Sequence, residues 1–423
     1  MEVGHLKNEF VQHIKDNAIR FDSIDDLQPM LEKASEAQFV LLGEATHGTS
    51  EFYRLRTEIS KWLIEKKGFQ FIAVEGDWPA CYEANRYIKG YSSVDNARDA
   101  LQQFNRWPTW MWANEEVAEL LTWLRSYNDS IQKAKVGFYG IDIYSLWESM
   151  QAVVQHLEEI GSPVAADARK AFHCFEPFHR EPQLYGVSAS LYGEDCLEEL
   201  LQLLDELQKA KHNFPKDNEA TLNLQVNSIV ADNAEHYYRA MVTNDNESWN
   251  IRDRHMVQAL DEILTFYRKG KGIIWEHNTH IGDARATDMV ADGMVNVGQL
   301  ARERYGRENV YSIGFGTYEG TVIAADRWGE PMKVMAVPKA SPHSWEAYLH
   351  EAGAFNKFIH FHDKNEALFS NTMGHRAIGV TYNPHYEQYG NYVPSQLSKR
   401  YDGFIHVEKT TALHPLVKSN TML

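Results

Sequence analysis

Leu41-Leu42-Gly43-Glu44-Ala45-Thr46-His47-Gly48-Thr49-Ser50-Glu51 carries an apolar run through a turn of small and polar residues and into a helical pattern. The helix follows at once over Phe52 to Glu65, with Phe52, Leu55, Ile59, Trp62 and Leu63 on one stripe. A short buried strand that turns directly into an amphipathic helix is the unit from which α/β sheets are built. Ligands in such sheets bind at the carboxyl ends of the strands, which is where Glu44 and His47 stand. A carboxylate beside an imidazole holds its tautomer and stabilises its protonated form, as a general base acting on water requires.

Working outward, further β-rich runs are Phe69–Val74, Val136–Ile141, Gly272–Trp275, Val310–Phe315, Ala377–Val380 and Gly403–Val407. Their alternation with helical stretches predicts an α/β protein with a mixed, largely parallel central sheet flanked by helices, the mixed direction falling near the C-terminus. From about Asp195 to Tyr267 no strand signal interrupts the helical pattern. That block reads as a helical lobe inserted in the sheet and covering an active-site cleft. The expected organisation is therefore residues 1–194 and 269–423 for the two parts of the α/β core, and 195–268 for the lobe. The Pro- and Gly-containing segment Cys174 to Tyr192 is expected to form an irregular loop leading into it.

Composition narrows the partners. The 423 residues carry a formal net charge of −17, which opposes binding to a phosphate backbone, so nucleic acid is not expected. No run reaches membrane-spanning length, and the start Met1-Glu2-Val3-Gly4-His5-Leu6-Lys7 lacks a long apolar core, so the expectation is a cytoplasmic protein without membrane contact. Cys81, Cys174 and Cys196 are an odd set with no CxxC pair, which predicts reduced thiols and no thiolate zinc site.

Other strand ends add chemistry. Glu75 closes Val74-Glu75-Gly76-Asp77, and Asp142 closes Gly140-Ile141-Asp142. Arg56 follows the buried stripe of the first helix, where a charge needs a partner, and Glu44 or Glu75 is within its expected reach. Trp275-Glu276-His277-Asn278-Thr279-His280-Ile281-Gly282-Asp283 ends a strand in His-x-x-His, a pair suited to polarising a carbonyl, stabilising an oxyanion or binding metal. A single such histidine is more often structural. Three strand ends that each deliver His, Glu or both weigh against that reading. Trp107, Trp110 and Trp112 would serve either as an apolar wall for a bulky ligand or as packing between lobe and core. No G-x-S-x-G elbow, phosphate-binding P-loop or H-E-x-x-H sequence is present.

Gly43-Glu44-Ala45-Thr46-His47-Gly48, Arg56, Glu75 and Trp275-Glu276-His277-Asn278-Thr279-His280, with Asn250-Ile251-Arg252-Asp253-Arg254-His255-Met256, together resemble the erythromycin esterase family. The resemblance extends over most of the chain. It implies an α/β core with a helical lobe over a deep cleft, and hydrolysis of a macrocyclic lactone or related small-molecule ester without metal or other cofactor. Relatives with a succinoglycan-biosynthesis label belong to the same class. Carried over, it makes His47 the general base, Glu44 and Glu75 catalytic carboxylates, and Arg56, His277 and His280 further catalytic members. Asp142, Asn278, Arg252 and Asp253 are assigned to substrate binding. On this reading His47 deprotonates a water that attacks the ester directly, and His277 or His280 with Arg56 serves the oxyanion or the leaving alkoxide. Two alternatives stand beside it: a metal-dependent hydrolase using the same His and Glu residues as ligands, and a non-catalytic binder of a polyketide or saccharide.

Overall fold

The strand that opens the deciding stretch, β2 (Phe39–Leu42), is buried at every position, as a strand covered on both faces must be. It lies in the middle of a nine-stranded sheet in the computed structural model, which describes residues 2–132, 134–193, 195–210 and 219–416. The other members are β1 (Ile19–Arg20), β3 (Phe71–Asp77), β4 (Gly137–Asp142), β5 (Gly272–Trp275), β6 (Val310–Ala324), β7 (Lys333–Val337), β8 (Lys357–His360) and β11 (Gly403–Thr410). Between the last two, β9 (Met373–Arg376) and β10 (Tyr392–Ser395) form a separate antiparallel pair. The strand order is β1-β8-β11-β6-β2-β5-β3-β4, with β7 on the extended end of β6.

Pairing from β11 through β6, β2, β5 and β3 to β4 is parallel throughout. The antiparallel contacts are made by β1, β7 and β8, two of these strands arising late in the chain. The fold is thus the mixed, largely parallel α/β sheet expected from the alternation of patterns. Ala377–Val380 is not a strand of it. Ile378 makes an isolated bridge to Thr46, and its backbone N–H donates to the carbonyl of Ala45 at 2.8 Å, so the apolar run borders the His47 turn instead.

Two apolar clusters fill the faces of the sheet. One packs Phe52, Ile59 and Leu63 of the helix Ser50–Lys67 against Val40, Leu42 and Trp275. The other packs Met256, Leu260 and Ile263 of the helix Asp245–Phe266 against Leu41, Phe71 and Ile274. The first helix stops at Gly68, whose φ of 71° is the left-handed conformation that glycine adopts without penalty. A third cluster, Ile143 to Tyr238, is built by the helices Leu146–Glu159, Ala165–Phe175, Leu197–Ala210 and Glu219–Thr243 and stands apart from the sheet. Residues on both sides of position 195 contribute to it. The stretch 211–218 of the expected lobe, and Met1 and 417–423 of the expected core, lie outside the described residues.

Two local expectations change. The segment 174–192 holds the short helix Pro182–Val187 and a following helical turn at Ser188–Tyr192. Its Tyr185 is fully buried and donates to Glu235 at 2.7 Å, so packing on the Glu219–Thr243 helix overrides the loop-like composition. Cys174 and Cys196 form a disulfide, leaving Cys81 as the free, buried thiol among the described residues. The expectation of reduced thiols fails because the partners, 22 residues apart, meet only when the segment before the helix Leu197–Ala210 packs against the helix Ala165–Phe175. No described helix is long and apolar enough to cross a membrane.

Candidate active site

The turn after β2 is held by close packing at both glycines of its motif. A Cβ on Gly43 would lie 2.1 Å from the Asn278 side chain, and one on Gly48 would lie 1.9 Å from the Ile323 carbonyl. Between them Glu44 is fully buried and His47 nearly so. The Nδ1–H of His47 donates to Glu44 Oε1 at 2.9 Å, and Arg56 Nη2 donates to Glu44 Oε2 at 2.7 Å. The Arg56 guanidinium lies 4.3 Å from the Tyr53 ring centre and 4.7 Å from that of Trp275, a sandwich that compensates a buried cation. Arg56 thus stands behind Glu44 and does not line the cavity.

Glu75 arrives from the end of β3. Its Oε2 accepts the backbone N–H of His277 at 2.8 Å, and its Oε1 accepts from Arg252 Nη2 at 2.8 Å. That same Oε1 lies 3.9 Å from His47 Nε2 and 3.5 Å from His280 Nε2. Arg252, from the Asp245–Phe266 helix, also grips Asp142 at the end of β4 through Nε at 2.8 Å and Nη2 at 2.7 Å, the fork geometry suited to a carboxylate. Its Nη1 lies 3.1 Å from His280 Nε2. Guanidinium can only donate, so this Nε2 is an acceptor and the His280 proton sits on Nδ1. There it faces both oxygens of Asp253, at 2.9 and 3.0 Å. The ring is stacked on Trp249 at 4.5 Å.

Burial alone would depress the His47 pKa, but the carboxylates of Glu75 and Glu44 prevail and hold it above the ordinary imidazole value. For Glu75, burial is opposed by His280, His47, Arg252 and the His277 N–H, which together keep its carboxyl well below the usual range and therefore ionised. His277, 4.8 Å from His47 between ring centres, is driven well below its ordinary value by burial and the neighbouring His47 charge, and stays neutral.

These residues border a cavity of about 1250 Å³. His47, Glu75, Asp142 and Arg252 face it. Glu44, Arg56, His277 and His280 stand behind that front. So do Asn278 and Asp253: Asn278 is fully buried, its amide bonded to the Phe315 backbone in both directions at 2.6 and 3.2 Å, and Asp253 is occupied by His280 and the Val297 N–H. Sequence reading passed over Asp77, two residues beyond Glu75. It lines the same cavity, is paired with Arg106 at 2.8 Å, and burial together with Asp142 and Glu148 pushes it up to about 6 against the pull of Arg106. Its place at the same strand end was the available signal. Of Trp107, Trp110 and Trp112, the first and the last line the cavity while Trp110 is core. Among the described residues no group of three or more His, Cys, Asp or Glu is arranged to hold a metal ion.

The site thus gathers histidines and carboxylates at the strand ends of a mixed, largely parallel sheet. The family model for erythromycin esterase matches residues 64–410, and the chain belongs to the erythromycin esterase family. Erythromycin esterase type II of Escherichia coli is 23% identical over 95% of this chain and 98% of its own length. A putative hydrolase of Bacillus subtilis (strain 168) is 24% identical over 91% of this chain and 86% of its own. A solved structure described as a succinoglycan biosynthesis protein superposes with a TM-score of 0.80 at 20% identity, over 97% of this chain and 99% of the other, which establishes the shared fold.

Proposed function

We propose that this protein hydrolyses a carboxylic ester, of the macrolactone or a related class, with His47 as general base. The observation that carries the reading is the opening between His47 Nε2 and Glu75 Oε1. At 3.9 Å it is too wide for a direct hydrogen bond, and it faces the cavity. A water seated on the cavity side of the pair, off the line joining the two atoms, can give one proton to the imidazole lone pair and the other to the ionised carboxylate. His47 takes a proton from that water at Nε2 while the water oxygen bonds to the ester carbonyl carbon. The imidazolium so formed is stabilised by Glu44 through Nδ1 and by Glu75 across the opening. Collapse of the tetrahedral adduct breaks the C–O bond, and the proton on Nε2 passes to the departing alkoxide, so acid and alcohol leave without an acyl-enzyme.

The oxyanion falls to Arg252. Arg252 lines the cavity, and four of its five N–H groups are taken up by Asp142, Glu75 and His280, leaving one on Nη1. His280 and Asp253 position that guanidinium, and Arg56 positions Glu44. The test is incubation of the purified protein with erythromycin, other lactones and simple aryl esters, with and without a chelator, followed by mass spectrometry for addition of one water. Hydration that survives chelation and disappears in His47→Ala is the expected result. Loss of turnover on chelation moves the assignment to a metal-dependent hydrolase. Binding without product moves it to a binding protein.

A further inference from the structure

Trp328 stands out from the rest of the cavity wall: its side chain is among the exposed large apolar groups, at 62% exposure, yet it lines the same cavity as His47. A contiguous apolar surface exposed at the edge of a pocket is the kind that marks a ligand-binding groove. It sits on the turn joining β6 to β7, and its ring centre lies 4.6 Å from that of Trp107, inclined at 58°. Trp107 comes from a distant loop and is fixed by its indole N–H, which donates to the Glu330 carbonyl at 3.0 Å. The two rings therefore form a preset angled surface assembled from two chain segments.

That surface is tied to the catalytic turn through backbone. The Ala325 N–H donates to the Val380 carbonyl at 3.0 Å, the Ile378 N–H to the Ala45 carbonyl at 2.8 Å, and the Ile323 N–H to the Gly48 carbonyl at 3.0 Å. Val380 itself lines the cavity between them. Next to Trp107 the wall turns polar with Gln103, Asn105 and Arg106.

Electron-rich indole faces attract C–H groups, whereas amides and guanidinium beside them bind hydroxyls. We propose that Trp107 and Trp328 form an aromatic subsite for a polyhydroxylated saturated ring, whose C–H face packs on the indoles while its hydroxyl edge meets the polar strip. The proposal rests on the hydrolase reading of the His47 site only for its use, since the subsite would place such a ring while the ester lies at His47. A sugar ring and a hydroxylated macrocycle share this chemistry.

Affinities of the wild type, Trp328→Ala and Trp328→Phe for erythromycin, for its sugar-free aglycone and for maltose, read by ligand-observed NMR titration, test it. Erythromycin binding should weaken by about tenfold in Trp328→Ala, the order expected for loss of one stacking ring, and recover largely in Trp328→Phe. The same loss for the aglycone identifies the macrocycle as the bound ring, and for maltose the sugar. Equal affinities of wild type and Trp328→Ala, or no saturable binding of any probe by the wild type, overturn the subsite. Aryl ester hydrolysis by the wild type against His47→Ala is measured alongside. Hydrolysis without any effect of Trp328 on binding overturns the subsite alone, and an effect on binding without hydrolysis of any ester overturns the hydrolase reading alone.

Discussion

Two histidine–glutamate pairs in this molecule have the same first contact and opposite character. His47 Nδ1 meets Glu44 at 2.9 Å, and His375 Nδ1 meets Glu346 at 2.6 Å. Yet His47 is raised above the ordinary imidazole value while His375 is lowered. Burial lowers both. Around His47 a second carboxylate, Glu75, adds to Glu44 and outweighs the opposing Arg252. Around His375 the Glu346 charge is countered by Arg400 and Arg376, and burial prevails. The remaining nitrogen differs as well: His47 Nε2 faces the cavity opening, whereas His375 Nε2 is 3.2 Å from the Asn278 amide inside the core. The two pairs thus differ in whether the second nitrogen meets space and in the sign of the surrounding charge, the two properties that the proposed base relies on.

The sharpest way to break this comparison is to remove both imidazoles. His47→Ala should lower ester hydrolysis by about 10²–10⁴-fold, the usual contribution of a general base, with an unchanged circular dichroism spectrum. His375→Ala should instead retain the chemistry and lose stability, by about 1–3 kcal/mol in denaturant titration, because the buried Glu346 Oε1 loses one of its two hydrogen bonds and keeps that from the Arg376 backbone N–H. Comparable activity losses in two folded variants would erase the distinction.

Arg56→Met probes the support behind the first pair. It leaves Glu44 buried with its cationic partner gone, so unfolding should become easier by about 3–5 kcal/mol, measured as a lower Tm and denaturant midpoint. A Tm equal to wild type would mean that Glu44 does not depend on Arg56.

The smallest effect concerns pH. The base form of His47 is neutral, and its raised pKa keeps it protonated to higher pH, so kcat/KM should climb with pH and level off only above the ordinary imidazole value of about 6.5. Glu44→Gln removes one of the two carboxylates that raise it, and the rising limb should move to lower pH. A rising limb that stays in place would assign the ionisation to another group.

Most of the sheet was legible because its strands are short apolar runs buried on both faces, and Phe39–Leu42 or Gly272–Trp275 allow no other reading. Ala377–Val380 is also apolar but follows β9 directly and, instead of entering the sheet, runs beside the His47 turn, where Ile378 bridges to Thr46 and the Val380 carbonyl accepts the Ala325 N–H. The strands β1, β7 and β8 escaped notice for the opposite reason. β1 has two residues, β8 has four with Lys357 and His360 at its ends, and the apolar run Val334–Val337 of β7 is exposed at alternate positions. Within the site, Glu44 and His47 announce themselves by standing three residues apart at one strand end. The Glu346–His375 pair is 29 residues apart and gives no local sign.

The strand ends and the acidic and imidazole side chains they deliver can be read along the chain, because apolar periodicity is a local property. Which of those side chains meet the cavity and one another came only from tertiary packing. It put Arg252 in front, bridging Asp142, Glu75 and His280, and set Arg56, Asn278 and Asp253 behind. It also joined Cys174 to Cys196 and brought Trp107 to Trp328. Each of these depends on which groups from distant segments share a few ångströms of low-dielectric space. Charge, tautomer and exposure follow from that neighbourhood and not from residue type.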